Sequence, residues 1–182
     1  ILSEHVKRED PRNKIFVLHR LDRETSGLMM FAKSEAVKVR VQSRWTETVR
    51  DRKYFAVVEG RVEEPSGTIS TYLTESRAMK VYVTHREEGK MAHTGFRVLK
   101  YSARNDVTLL ELELETGRKN QIRAHMEYIG HPIVGDKKYG SRRALIGRVA
   151  LHAGVLGFVH PTTGERHDFS TPIPRKFTAL FE

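Results

Sequence analysis

The most regular stretch of the chain is Val107–Thr116, where Leu110, Leu112 and Leu114 alternate with Glu111, Glu113 and Glu115. A period of two sends successive side chains to opposite faces, so this segment predicts a strand with one buried and one wet face. Shorter runs rich in β-branched and aromatic residues predict further strands at Ile15–Leu18, Gly27–Ala32, Lys53–Val58, Thr68–Leu73, Met79–Thr84 and Val149–Val159. The period lengthens to helical spacing over Glu35–Val49, where Val37, Val41, Trp45 and Val49 form one side and Lys38, Arg40 and Arg44 the others. Ile122, Met126 and Ile129 do the same for a helix over Arg118–Ile129 that ends near Gly130. Ile1–Lys7 reads as the end of a helix, followed by a connection at Glu9–Asn13 because Pro11 cannot continue the hydrogen-bond ladder. Pro132–Arg143 reads as a turn region rich in Gly and charge.

These elements carry no repeat and no composition break, and 182 residues suffice for one core, so residues 1–182 are expected to form a single domain. Charge adds a partner to the picture. Lys and Arg number 32 against 23 Asp and Glu, a formal net charge of +9 with a pI near 9.9. Such an excess favours polyanions, nucleic acid first, although it also serves plain solubility. The chain has no Cys, which excludes disulfides, thiolate metal ligands and cysteine nucleophiles. With no run of membrane-spanning length and no signal-peptide pattern, the expected compartment is the cytoplasm, with no membrane partner.

Two segments stand out chemically. The first is His19-Arg20-Leu21-Asp22-Arg23-Glu24-Thr25-Ser26-Gly27, a charged loop between two apolar strands, in position to be displayed at a sheet edge. Its Asp22 carboxylate can act as a nucleophile, and a neighbouring cation would keep it ionised. Residue content alone favours an ordinary surface salt bridge over catalysis. The second is Thr116-Gly117-Arg118-Lys119-Asn120-Gln121-Ile122-Arg123-Ala124-His125, where a strand turns into a helix whose first amides favour anions. A structural turn and cap explain those residues nearly as well. By the same standard, Trp45 and Tyr54 read first as core aromatics, Arg123 as a surface helix arginine, and the three glutamates as a solvated strand face rather than a metal cluster.

Taken together the two segments resemble the RluA-type pseudouridine synthases. HRLDRETSGL at His19–Leu28 is similar to the family's catalytic motif, and LETGRKNQIRAHMEYIGHPIVGDKKYG at Leu114–Gly140 to its later one. Lys53-Tyr54-Phe55-Ala56 and Leu151-His152-Ala153 through His160-Pro161 extend the resemblance over nearly the whole chain. The resemblance implies an α+β pseudouridine-synthase catalytic fold, with a mixed, largely antiparallel β-sheet flanked by helices and loops. It implies catalytic roles for Asp22, for Tyr54 beside the target base, and for Arg123, which is expected to pair with Asp22 and favour its ionised form. Arg20, Thr25, Arg118, Asn120 and Gln121 are implied as substrate-binding residues, with Arg20 helping to displace the target nucleotide.

The implied reaction converts selected uridines to pseudouridine in structured ribosomal or transfer RNA, ribosomal RNA ranking first, without metal or organic cofactor and with the enzyme a monomer. The competing class is a noncatalytic RNA-binding module on the same scaffold. An aspartate-dependent hydrolase ranks below both, because no serine triad, metal-binding His cluster or phosphate loop is present. Two departures accompany the resemblance: Asn120 stands where the family motif commonly has His, and the usual early strand with an Asn-Lys-Pro segment is missing before Ile1, which implies a chain shortened at its N-terminal side.

Overall fold

The computed structural model describes residues 1–85 and 88–182. In chain order its strands are β1 (Phe16–Val17), β2 (Ser26–Gly27), β3 (Phe31–Ala32), β4 (Val49–Glu59), β5 (Ser66–Glu75), β6 (Val81–Thr84), β7 (Lys90–Ser102), β8 (Val107–Leu114), β9 (Leu151–Val159) and β10 (Arg166–Ser170). Its α-helices are α1 (Leu2–Lys7), α2 (Glu35–Ser43), α3 (Trp45–Thr48), α4 (Gln121–Tyr128) and α5 (Arg175–Thr178). The main sheet runs β10-β9-β4-β8-β7-β5-β6 with every neighbouring pair antiparallel, and β2 joins the edge of β9 in parallel. β1 and β3 form a separate ribbon beside it. This is the mixed, mostly antiparallel α+β arrangement expected.

The centre of the sheet is covered on both faces. Ala56, Val57 and Val58 of β4 are consecutive and fully buried, as are Val107 and Leu110 of β8, so strict alternation does not survive there. The wet face expected of β8 appears only in its second half, where Glu113 is exposed and Glu111 pairs with Arg97 at 3.1 Å and Lys53 at 3.4 Å. α4 closes one face of the core with Ile122 and Met126, and Phe177 and Phe181 from the C-terminal end plug the same cluster.

The single helix expected over Glu35–Val49 is two. α2 is capped by the Ser34 hydroxyl, which accepts from the Val37 amide at 3.3 Å, and the chain breaks at Arg44 (φ −125°, ψ 42°) before α3. Val49 belongs to β4, which starts four residues earlier than the apolar run at Lys53 suggests. Val41 and Val49 are buried all the same, so the spacing identified inward-facing positions while the backbone changed beneath them. No helix among the described residues is long and apolar enough to cross a membrane.

Candidate active site

The His19–Gly27 loop is held at both ends and braced in the middle. At its start the His19 Nε2 accepts from the Met30 amide at 2.9 Å, which requires an unprotonated nitrogen, and burial pushes the ring's pKa down. At its end the Ser26 hydroxyl and His152 Nδ1 lie 2.7 Å apart, and β2 pairs with His152 and Ala153 of β9. Gly27 has φ +124°, and a Cβ there would collide with the Ala153 carbonyl, so this crossing requires glycine. Arg148 donates to the Glu24 carbonyl at 3.0 Å and supports the turn from below. The loop therefore presents Asp22 beside Tyr54 of β4, a strand inside the sheet, rather than at the sheet edge its sequence suggested.

Asp22 lies in a cleft of about 990 Å³ whose lining includes Arg20, Tyr54, Arg118, Asn120 and Arg123. Three elements far apart in sequence thus meet: the loop, β4 and the start of α4. Arg123 is 7% exposed, and its NH1 approaches Asp22 Oδ2 at 3.6 Å. The expected convergence is present, but Asp22 is not its main partner. Arg123 Nε and NH2 donate to Asp136 at 2.6 and 2.8 Å, a bidentate pair with a carboxylate only 1% exposed. Burial works against the arginine's charge, yet Asp136 and Asp22 hold it protonated and the net shift is upward. The Tyr139 ring lies 4.7 Å from the guanidinium and completes its cage.

Arg123 favours the ionised form of Asp22 as expected, but it is not the largest influence on it. Burial pushes the Asp22 carboxyl above its ordinary value, Arg123 pulls it back, Asp136 adds to the rise and Lys119 opposes it, leaving a net upward shift. The neighbouring cation does not win, because burial is the largest influence and outweighs it. Tyr54, between Leu112 and Ala153 in the sheet register, is pushed upward by burial; Arg52 opposes this and the Asp22 charge adds to it.

The remaining expected residues divide by exposure. Arg20 and Arg118 are exposed on the cleft, and Thr25 also lines it while its amide donates to the Asp22 carbonyl at 2.9 Å. Gln121 directs its side chain inward: its amide donates to the His93 carbonyl and the Thr94 hydroxyl, both at 2.9 Å, and accepts from Thr116 and the Arg118 amide. Asn120 places its side-chain amide between Asp22 and Tyr139. Sequence reasoning passed over Asp136, Tyr139 and Arg52. Asp136 and Tyr139 sit in the segment read as a charged turn and as the end of the later motif, and GDKKYG gives no periodicity to single them out. Arg52 donates to the Leu114 and Glu115 carbonyls at 2.9 and 3.2 Å and so pins the end of β8 to β4. Trp45 joins the small core of Leu18, Ala32 and Val41, with its ring 5.5 Å from that of His19, while also lining the cleft.

Comparison with known proteins points to a single family. Residues 2–128 match the family model described as RNA pseudouridylate synthase. The Bacillus subtilis protein named uncharacterized RNA pseudouridine synthase YlyB is 42% identical over 167 residues, covering 91% of this chain and 54% of that protein. Ribosomal large subunit pseudouridine synthase D of Zymomonas mobilis is 34% identical, covering 91% of this chain and 55% of that one. The solved structure of human RNA pseudouridylate synthase domain containing 1 superposes with a TM-score of 0.78 at 29% identity, over 94% of this chain and 73% of that chain. The chain spans about half the length of these two bacterial relatives. With the aspartate loop, the β4 tyrosine and the buried arginine assembled in one cleft and the family model matched across all three, the chain belongs to the RNA pseudouridylate synthase family.

Proposed function

We propose that this protein isomerises selected uridines to pseudouridine in structured RNA, with Asp22 as the catalytic carboxylate. The observation that carries this is the convergence of Asp22, Tyr54 and Arg123 on one open cleft of a chain in this family. The reaction breaks the N1–C1′ bond of the nucleotide, turns the retained uracil, and joins its C5 to C1′. One proton leaves C5 and one is gained at N1, so the balance needs neither a redox equivalent nor a phosphoryl donor. Uridine must leave its stack to be reached, and Tyr54 offers the aromatic face that replaces lost stacking. Arg20 beside the loop tip fills the space the nucleotide leaves, while Thr25 and Arg118 meet the RNA at the cleft mouth. Gln121 shapes the turn that presents Arg118. Arg123, held by Asp136, fixes positive charge behind Asp22 at low reorganisation cost.

The two relatives' covering names and the +9 charge support RNA as the partner, and a large-subunit synthase among them ranks ribosomal RNA ahead of transfer RNA. The same proposal has the protein acting in the cytoplasm as a monomer. The test maps pseudouridines in RNA from matched cells with and without the complete gene. Sites lost on deletion and restored by wild-type protein support the proposal; an unchanged map in every RNA class refutes it.

A further inference from the structure

Asp22 receives its shortest side-chain contacts from an amide, not from an arginine. The Asn120 side-chain nitrogen stands 2.8 and 2.9 Å from the two carboxylate oxygens, well inside the 3.6 Å of Arg123. The opposite amide orientation would set oxygen against oxygen, so the nitrogen faces Asp22 and the amide oxygen faces the Tyr139 hydroxyl at 3.0 Å. Tyr139 is fully buried, and its hydroxyl oxygen already accepts from the Val81 amide at 3.2 Å. Its own proton is therefore free to go to Asn120. The result is a directed chain from Val81 N–H through the Tyr139 O–H and the Asn120 N–H to the Asp22 carboxylate. Asn120 takes up this place with φ +50° and ψ 22°, a left-handed conformation that asparagine tolerates better than most residues.

We propose that Asn120 is a positioning residue that clamps both oxygens of the Asp22 carboxylate, and that the buried Tyr139 hydroxyl fixes which end of the amide faces it. This rests on Asp22 being the catalytic carboxylate. The clamp fixes the carboxylate plane against the cleft and stabilises its charged form where burial opposes it. The other groups facing Asp22 are Arg123 from α4, Lys119 from the turn before it, Asp136 behind Arg123 and Tyr54 from β4. On its own loop the charged neighbours are Arg20, Arg23 and Glu24. None of these is altered by the substitutions below.

Three variants of the full chain test the clamp. Asn120→Gly keeps the left-handed backbone and deletes the amide, Asn120→Asp sets a second carboxylate against Asp22, and Tyr139→Phe keeps the ring under Arg123 without the hydroxyl. The first readout needs no substrate: titration of the Asp22 carboxyl carbon by NMR, its signal assigned by loss in Asp22→Asn. Removing donors from the charged form must move the midpoint to higher pH, most in Asn120→Asp, then Asn120→Gly, then Tyr139→Phe. The second readout is pseudouridine formation against pH. Its acid limb should move the same way, with kcat at pH 6 about tenfold lower in Asn120→Gly, the loss expected for one charge-assisted bond, and KM for RNA within about twofold. An unmoved Asp22 midpoint in Asn120→Gly and Asn120→Asp overturns the clamp, as does a raised KM with an unchanged pH profile, the pattern of a plain RNA contact. Shifted midpoints in a protein whose wild type makes no pseudouridine leave the clamp standing and refute the proposed activity instead.

Discussion

Acid should unfold this protein in large part through one histidine. His125 lies in the middle of α4 with no exposed surface, its Nδ1 2.8 Å from the Thr94 hydroxyl and its Nε2 3.0 Å from the Thr71 hydroxyl. Either hydroxyl donates or accepts as the tautomer requires, so the neutral ring is satisfied, but no carboxylate partners the charged one in these contacts. Burial first, and the nearby His93 second, push its pKa from the ordinary 6.5 down to about 4. The folded protein therefore binds fewer protons here than the unfolded chain, and the stability that follows is complete above pH 6.5 and is lost as pH falls toward 4. Worked through the linkage relation, the loss relative to pH 7 is about 2 kcal/mol by pH 5 and about 3 kcal/mol by pH 4. Urea unfolding of wild type and His125→Gln across this range isolates the effect. Apart from His93, whose charge bears on His125, the other titrating groups, including His19 and His152, whose pKa values burial also lowers, contribute to both proteins alike. The variant should start less stable at pH 7 and lose less on acidification, so the curves converge. Parallel curves would refute the assignment. Because α4 begins at the turn that carries Asn120 and includes Arg123, its loosening in acid should remove activity before the sheet unfolds.

Other substitutions separate structural from catalytic charge. Asp136→Ala leaves Arg123 buried without its bidentate partner and should cost about 3–5 kcal/mol in urea unfolding; a loss under about 1 kcal/mol would show that the pair is dispensable. Asp22→Asn should be at least as stable as wild type, since burial opposes the charge it removes, and a marked fall in Tm would contradict that. Gly27→Ala should lower Tm and detach β2 from β9, because both its φ of +124° and the Ala153 carbonyl exclude a Cβ; an unchanged Tm counts against the crossing. RNA affinity should fall linearly on a log–log plot against salt as phosphate contacts release counterions, and a flat line would contradict a basic RNA surface.

What the sequence made legible was local regularity and motif content. β8 was plain because Leu110, Leu112 and Leu114 keep strict alternation, whereas β7, the longest strand, was missed. A register shift between Val98 and Lys100 breaks its period, and the buried Thr94 puts a polar residue among its inward-facing positions. β10 was missed because an exposed edge strand such as Arg166–Ser170 has no buried side to advertise. At the site, Asp22, Tyr54 and Arg123 came from the motifs, and their meeting was anticipated. The partner of Arg123 was not, since Asp136 reaches it only through the folding back of the turn after α4. Asn120 stood in the sequence only as an implied substrate-binding residue where the motif commonly has His; its left-handed backbone, invisible in one dimension, turns the amide onto Asp22 instead.

The central claim is that Asp22 performs the chemistry of uridine isomerisation, and the most direct measurement is pseudouridine formation by folded Asp22→Asn protein on the RNA site found by mapping. With affinity for that RNA close to wild type, the account predicts that no pseudouridine forms. Turnover at the wild-type rate by this correctly folded variant would contradict it.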